Sequence, residues 1–231
     1  MRAAYRPYKA RNSDRYIEAM RQWLHALRAE PHALMAGSLW FALTALPVLS
    51  FGVARTALTY YMRQRALGIR TTWKEARRFA ARTCGARAWL LGLSDLLVLL
   101  MAGGCFLGIT QPELPLFIRF FYGLMLMPDA LYLLSGLYRY PILVREPDLP
   151  LPMILSRALL MTLGTLGWTL MLQFASLLAF LICAFSGVGL FLLYPAASAL
   201  LSACAYAQML EKYRDELDLA QEEDDASDGE S

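Results

Sequence analysis

The sequence predicts an all-α protein, a polytopic transmembrane bundle of six helices in which the second is short, with both termini on the cytoplasmic side. Three observations predict it. The chain is 58% hydrophobic and 18% charged, with a mean hydropathy of +0.40, against about 45–50% apolar and about 25% charged in soluble domains. The apolar excess is gathered into long runs. The charge is segregated: net +3 overall, yet basic over 1–30 and acidic over 211–231.

The runs are Ala33–Leu49, Ala88–Ile109, Leu116–Leu137, Ala158–Phe185 and Val188–Met209. Each approaches or exceeds the length that spans about 30 Å of hydrocarbon as a helix. A weaker stretch, Phe51–Leu67, contains Arg55, Arg63 and Arg65. Charge parity decides its role. Lys and Arg of short loops stay on the cytoplasmic side. Arg63–Arg87 carries Arg63, Arg65, Arg70, Lys74, Arg77, Arg78, Arg82 and Arg87 against Glu75 alone, and the N-terminal arm is basic too. The chain therefore crosses an even number of times between them. Ala33–Leu49 goes out, Pro47–Gly52 turns, and Phe51–Leu67 returns as a short helix. The alternatives are a re-entrant loop and a five-span bundle that puts one basic segment outside. With six spans, Thr110–Pro115 and Ser186–Gly189 lie outside, Tyr138–Arg157 lies inside, and only Arg55 and Arg119 sit away from the cytoplasmic face.

The organisation is a basic cytoplasmic arm over 1–30, a helix bundle over 31–210 and an acidic, disordered tail over 211–231. The first 30 residues hold seven basic residues and no apolar stretch or small-residue cleavage site, unlike a signal peptide. Asn12–Arg28 predicts an amphipathic helix with Ile17, Met20, Leu24 and Leu27 on one face. That helix lies on anionic lipid or packs on the cytoplasmic end of the bundle. Thr71–Arg87 is a second amphipathic segment. Trp73, Lys74, Arg77, Arg78 and Arg82 are its candidate contacts to lipid phosphates or to an acidic partner. Charge alone does not make it a nucleic-acid site. "REPDLPLP", Arg145–Pro152, is a connector that breaks helix.

Charges at membrane depth are functional candidates. Asp95 and Asp129 fall at about 10–14 Å from the inner ends of their spans, counting 1.5 Å per residue. Arg55 is placed to reach either, as a structural clamp, as part of a polar path, or by snorkelling to the outer interface. Gln173 is a weaker candidate for interhelical hydrogen bonding. Gly104 and Gly108 form a GxxxG, and Ser198 and Ser202 a small-xxx-small pair. Cys84, Cys105, Cys183 and Cys204 are scattered, with no CxxC, and read as small buried hydrophobes. No enzyme signature stands out. His25 and His32, the only histidines, precede the first span and leave Ser94 without a base. HExxH, P-loop and the YD and GxGD patterns of intramembrane aspartyl proteases are absent. No catalytic, cofactor or metal residues are expected.

The stretch "LPVLSFGVARTALTYYMRQR" resembles the first half of the YesL-like family of bacterial membrane proteins, a domain family of unknown function. The matching positions are Leu46, Pro47, Ser50, Gly52, Thr56, Ala57, Leu58, Tyr60 and Tyr61. They are followed by a basic segment like "WKEARRFAART", the aromatic-proline step Tyr140–Pro141, and "RALLMTLGTLGWTLML". The resemblance spans roughly Leu39 to Leu210. The chain departs in its longer basic arm, its acidic tail and its lack of an early asparagine. The resemblance implies a multi-pass protein of the bacterial cytoplasmic membrane, an accessory of carbohydrate uptake, with an ABC sugar transporter or membrane sensor as partner. The competing class is a transporter or permease subunit, with Arg55, Asp95 and Asp129 along a polar path.

Overall fold

A computed structural model describes residues 12–45, 50–187, 189 and 192–228, with side chains described between 17 and 214. All its regular structure among these residues is helical. In chain order the helices are α1 (Asn12–Ala29), α2 (Pro31–Ala45), α3 (Phe51–Ala66) and α4 (Trp73–Thr110), which carries a π turn at Ala80–Cys84. Then follow α5 (Leu116–Arg145), α6 (Leu151–Gly164), α7 (Leu166–Phe185) and α8 (Tyr194–Asp228). Residues 46–49, which include the start of the predicted Pro47–Gly52 turn and two positions that carry the family resemblance, lie outside the described residues, whereas Phe51 and Gly52 open α3.

Local chemistry sets these boundaries. Pro31 opens α2 and disfavours helix at Glu30, which separates α1 from α2. α3 stops at Gly68, whose φ of +75° lies in the left-handed region that glycine enters without a Cβ penalty. Its amide reaches Arg65 O at 2.9 Å, and Ile69 N reaches Gln64 O at 2.9 Å, so the last carbonyls are satisfied. α4 starts from a capping box: Thr72 N donates to Glu75 Oε2 at 2.9 Å, and Glu75 N to Thr72 Oγ1 at 3.4 Å.

Three helices are long and apolar enough to cross a membrane: α4, α5 and α7. Their apolar side chains face outward. Leu100, Leu107, Phe117, Phe120, Met127, Phe174 and Ile182 are all well exposed. Each such side chain forgoes about 1.5–3 kcal/mol when left in water, so a surface of this kind belongs in a bilayer. The interior is built from less hydropathic helices. α3 buries Ala54, Thr56, Ala57, Leu58, Thr59, Tyr61 and Met62. α8 buries an Ala- and Ser-rich stretch from Ala196 to Met209. α8 packs on α1, α2, α3, α5 and α7, and α3 on α2, α4, α5 and α8. Many of the residues that α3 and α8 bury are Ala, Ser or Thr, beside large ones such as Leu58, Met62, Leu201 and Met209, and small residues of this kind let helices approach closely in lipid.

Several expectations need correction. The third run does not end at Leu137: α5 continues through the first part of the Tyr138–Arg157 segment as far as Arg145, and residues 138–144 are buried. Pro128 and Pro141 sit inside α5, where neighbouring helices tolerate the missing donors. Ala158–Phe185 is not one span. It breaks at Thr165, with φ −137° and ψ 41°. An unbroken helix of that length would run to about 42 Å, beyond the hydrocarbon thickness. α6 begins earlier, at Leu151, with a proline in its first turn. The basic segment after Thr72 is continuous with α4 rather than separate. The backbone of α8 runs through Asp228, where composition predicts disorder.

α1 docks along α8. Trp23 is buried, and its indole N–H donates to Ala197 O at 2.9 Å. The face turned inward is Ala19, Trp23 and Ala26, with Met20 and Leu27 beside it; Ile17 and Leu24 of the predicted stripe are exposed.

Candidate functional site

The most polar part of the interior forms where α3, α4 and α5 meet. Gly52 and Gly92 make the approach possible. A Cβ on Gly52 would lie 2.8 Å from Gly92 Cα and closer still to Ala88 O. The α3 and α4 backbones are therefore in direct contact one turn before Asp95.

Asp95 accepts three hydrogen bonds, all from α5. Arg139 Nη1 donates to Oδ1 at 2.5 Å, Tyr140 Oη to Oδ2 at 2.6 Å, and Tyr132 Oη to Oδ1 at 3.2 Å. Ser94 Oγ lies 2.6 Å from Tyr132 Oη. Arg139 is 2% exposed. Side chains on a helix lean toward its N-terminus, and Arg139 curls back along α5. Its Nη2 occupies space that a Cβ on Gly136 would approach to 2.9 Å. Its guanidinium carbon lies 3.7 Å from the centre of the Tyr132 ring. The salt bridge, the ring face and the phenols together offset the desolvation of a buried guanidinium.

The three intramembrane candidates are thus placed differently. Asp95 is central to the cluster. Arg55 makes no ion pair with either aspartate; its guanidinium carbon sits 5.0 Å from the centre of the Tyr140 ring, and Tyr140 in turn holds Asp95. Asp129 is 7% exposed, one turn from Tyr132 along α5, and its Oδ2 has no hydrogen-bond partner among the described residues. Arg139, Tyr132, Tyr140 and Gly136 were missed by sequence reasoning. Arg139 was assigned to a cytoplasmic loop on its charge. The usable signal was the spacing of Tyr132, Gly136 and Arg139, which puts all three on one helix face.

Elsewhere, Arg119 braces the link before its own helix by donating to Leu114 O at 2.9 Å and to Pro112 O. Tyr138 Oη and Thr169 Oγ1 join α5 to α7 at 3.0 Å. Gln173 reaches Leu134 O only at 3.5 Å. Gly108 packs against the Tyr122 ring, whereas Gly104 faces open space. Cys84, Cys105 and Cys204 are buried and Cys183 partly so.

The basic start of α4 is a second feature. Trp73 meets Tyr61 edge-on at 6.1 Å, and Phe79 stacks on Tyr60 at 4.3 Å. These contacts and the capping box fix the segment to α3. Lys74, Arg77, Arg78 and Arg82 are exposed on it, and none is in an ion pair among the described residues. Arg87 instead donates to Pro147 O in the connector. No family model matches the chain, and neither a curated protein nor a solved structure matches it significantly.

Proposed function

We propose that this chain is a non-enzymatic, multi-pass protein of the bacterial cytoplasmic membrane that engages an acidic partner through the basic start of α4. The single observation that carries the reading is the presentation of four exposed cations, Lys74, Arg77, Arg78 and Arg82, none in an ion pair among the described residues, on a turn anchored by Trp73 and Phe79. A merely solvated charge run needs no such anchoring. The six-crossing arrangement, with α3 as the short second span and both ends inside, is supported by charge parity. The link to carbohydrate uptake, through an ABC sugar transporter or a membrane sensor, rests on the YesL-like motif residues. The test is mild detergent extraction with affinity capture of the full chain. An ABC permease or sensor should co-purify and be lost from Arg77→Glu/Arg78→Glu. Equal recovery with that variant would sink the proposal.

A second reading, a transporter or permease subunit, is favoured by Asp129. A buried carboxyl oxygen without a partner is costly, and substrate and ion paths place such groups. Reconstituted vesicles that move a sugar or protons, and stop doing so with Asp129→Asn, would favour it over the accessory role.

A further inference from the structure

A cavity of about 570 Å³ opens where the C-terminal ends of α3 and α5 meet α8 and α1. Its charged lining is Arg63, Arg145 and Arg214 against Glu211 alone. Gln22, Tyr206 and Tyr213 add neutral donors. The volume lies within the roughly 300–1,000 Å³ of small-molecule sites. Among the described residues none of the three arginines is in an ion pair, although Arg65 and Arg157 nearby are each matched by a glutamate. Arg63 and Arg145 do complement the negative ends of α3 and α5. That role needs each arginine at its own helix end, not both facing one concavity with a third from α8. Tyr206, which lines the cavity, feels Arg145 and Arg63 electrostatically, along with Glu146 and Arg157 beyond its lining.

We propose that this cavity is a binding site for a phosphate-bearing anion, held by Arg63, Arg145 and Arg214. Guanidinium groups match phosphate oxygens through paired N–H donors, and a concave apolar wall strengthens those bonds. Two sources share this chemistry: the headgroup of an anionic phospholipid and a free soluble phosphate. The site is separate from the exposed face of α4, so it stands whether or not that face binds a partner.

Native mass spectrometry of the full chain, released from nanodiscs of phosphatidylcholine with or without phosphatidylglycerol, tests the first source. Thermal unfolding of delipidated protein titrated with inorganic pyrophosphate tests the second. Retention of one phosphatidylglycerol supports a headgroup site; saturable stabilisation by pyrophosphate supports a soluble phosphate. Arg63→Gln/Arg145→Gln should weaken the active arm at least tenfold, and Arg70→Gln, which removes an exposed charge outside the cavity, should not. Arg214→Gln spares the helix ends and gives the same direction if the double variant does not fold. Arg145→Lys, keeping charge but losing the paired donors, should fall in between. No adduct and no stabilisation, or binding unaltered in Arg214→Gln and the double variant, overturns the proposal.

Discussion

Asp95 on α4 and Arg139 on α5 form an ion pair at 2.5 Å, with Arg139 2% exposed. The pair is the polar centre of the bundle, and both tyrosines that hold Asp95 flank it on α5. Removing one partner leaves the other charge buried and uncompensated, which costs more than the intact pair contributes.

Asp95→Asn is therefore expected to destabilise by about 3–5 kcal/mol, lowering the unfolding temperature by roughly 10 °C for a chain of this size. Adding Arg139→Met should recover most of the loss, because a similar apolar volume replaces the stranded cation. Thermal unfolding in one detergent, run as a double-mutant cycle, measures this. A fall of less than about 2 °C for Asp95→Asn would show that the pair contributes little.

Tyr140 joins Asp95 to Arg55, and its two contacts are separable. Tyr140→Phe keeps the ring under Arg55 and loses the hydroxyl bond to Asp95, a cost of about 1–3 kcal/mol. Tyr140→Leu should lose about 0.5–2 kcal/mol more with the ring's hold on Arg55, on top of the packing lost at a buried site, and that part, about 0.5–2 kcal/mol, should vanish in an Arg55→Gln background. If it persists unchanged, the ring contact is not what holds Arg55.

The glycines divide by what surrounds them. Gly52→Ala and Gly92→Ala push backbone against backbone at the α3–α4 contact, and should cost more than about 2 kcal/mol, as overpacking does. Gly103 lies on α4 with nothing within 4 Å of a Cβ, so Gly103→Ala should be neutral or stabilise by up to about 1 kcal/mol. Comparing unfolding midpoints decides it. Equal effects at all three positions would mean that the close approach does not exist in the membrane.

Membrane-impermeant maleimide should label Ser50→Cys from outside the cell and leave Gln64→Cys untouched. The background is low, since three of the native cysteines are buried. Labelling of Gln64→Cys from outside, with Ser50→Cys protected, would reverse the orientation of α3.

Much of the helix content was legible in the sequence because it follows from local rules. Proline at 31, the Thr72–Glu75 box and the glycine at 68 act within a turn or two. The apolar runs likewise exposed α4, α5 and α7. The buried polar cluster was half legible. Asp95 stood out as a carboxylate in an apolar run, but its partner did not. Arg139 sits beside a proline and ahead of Arg145, and on charge alone it reads as a loop residue. The face of α1 was also misread, since Ala19 and Ala26 carry little hydropathy and gain their place from the close fit against α8.

Composition and periodicity by themselves determined that this chain is helical, that its outer helices suit a bilayer and that its charges are segregated. Those properties depend on each residue's own transfer energy and on neighbours within a turn. Tertiary structure decided which helices are interior, that Arg139 rather than Arg55 pairs with Asp95, and that Arg63, Arg145 and Arg214 face one cavity. Such choices depend on contacts between segments distant in the chain, where a glycine that permits close approach outweighs the hydropathy of the helix it belongs to.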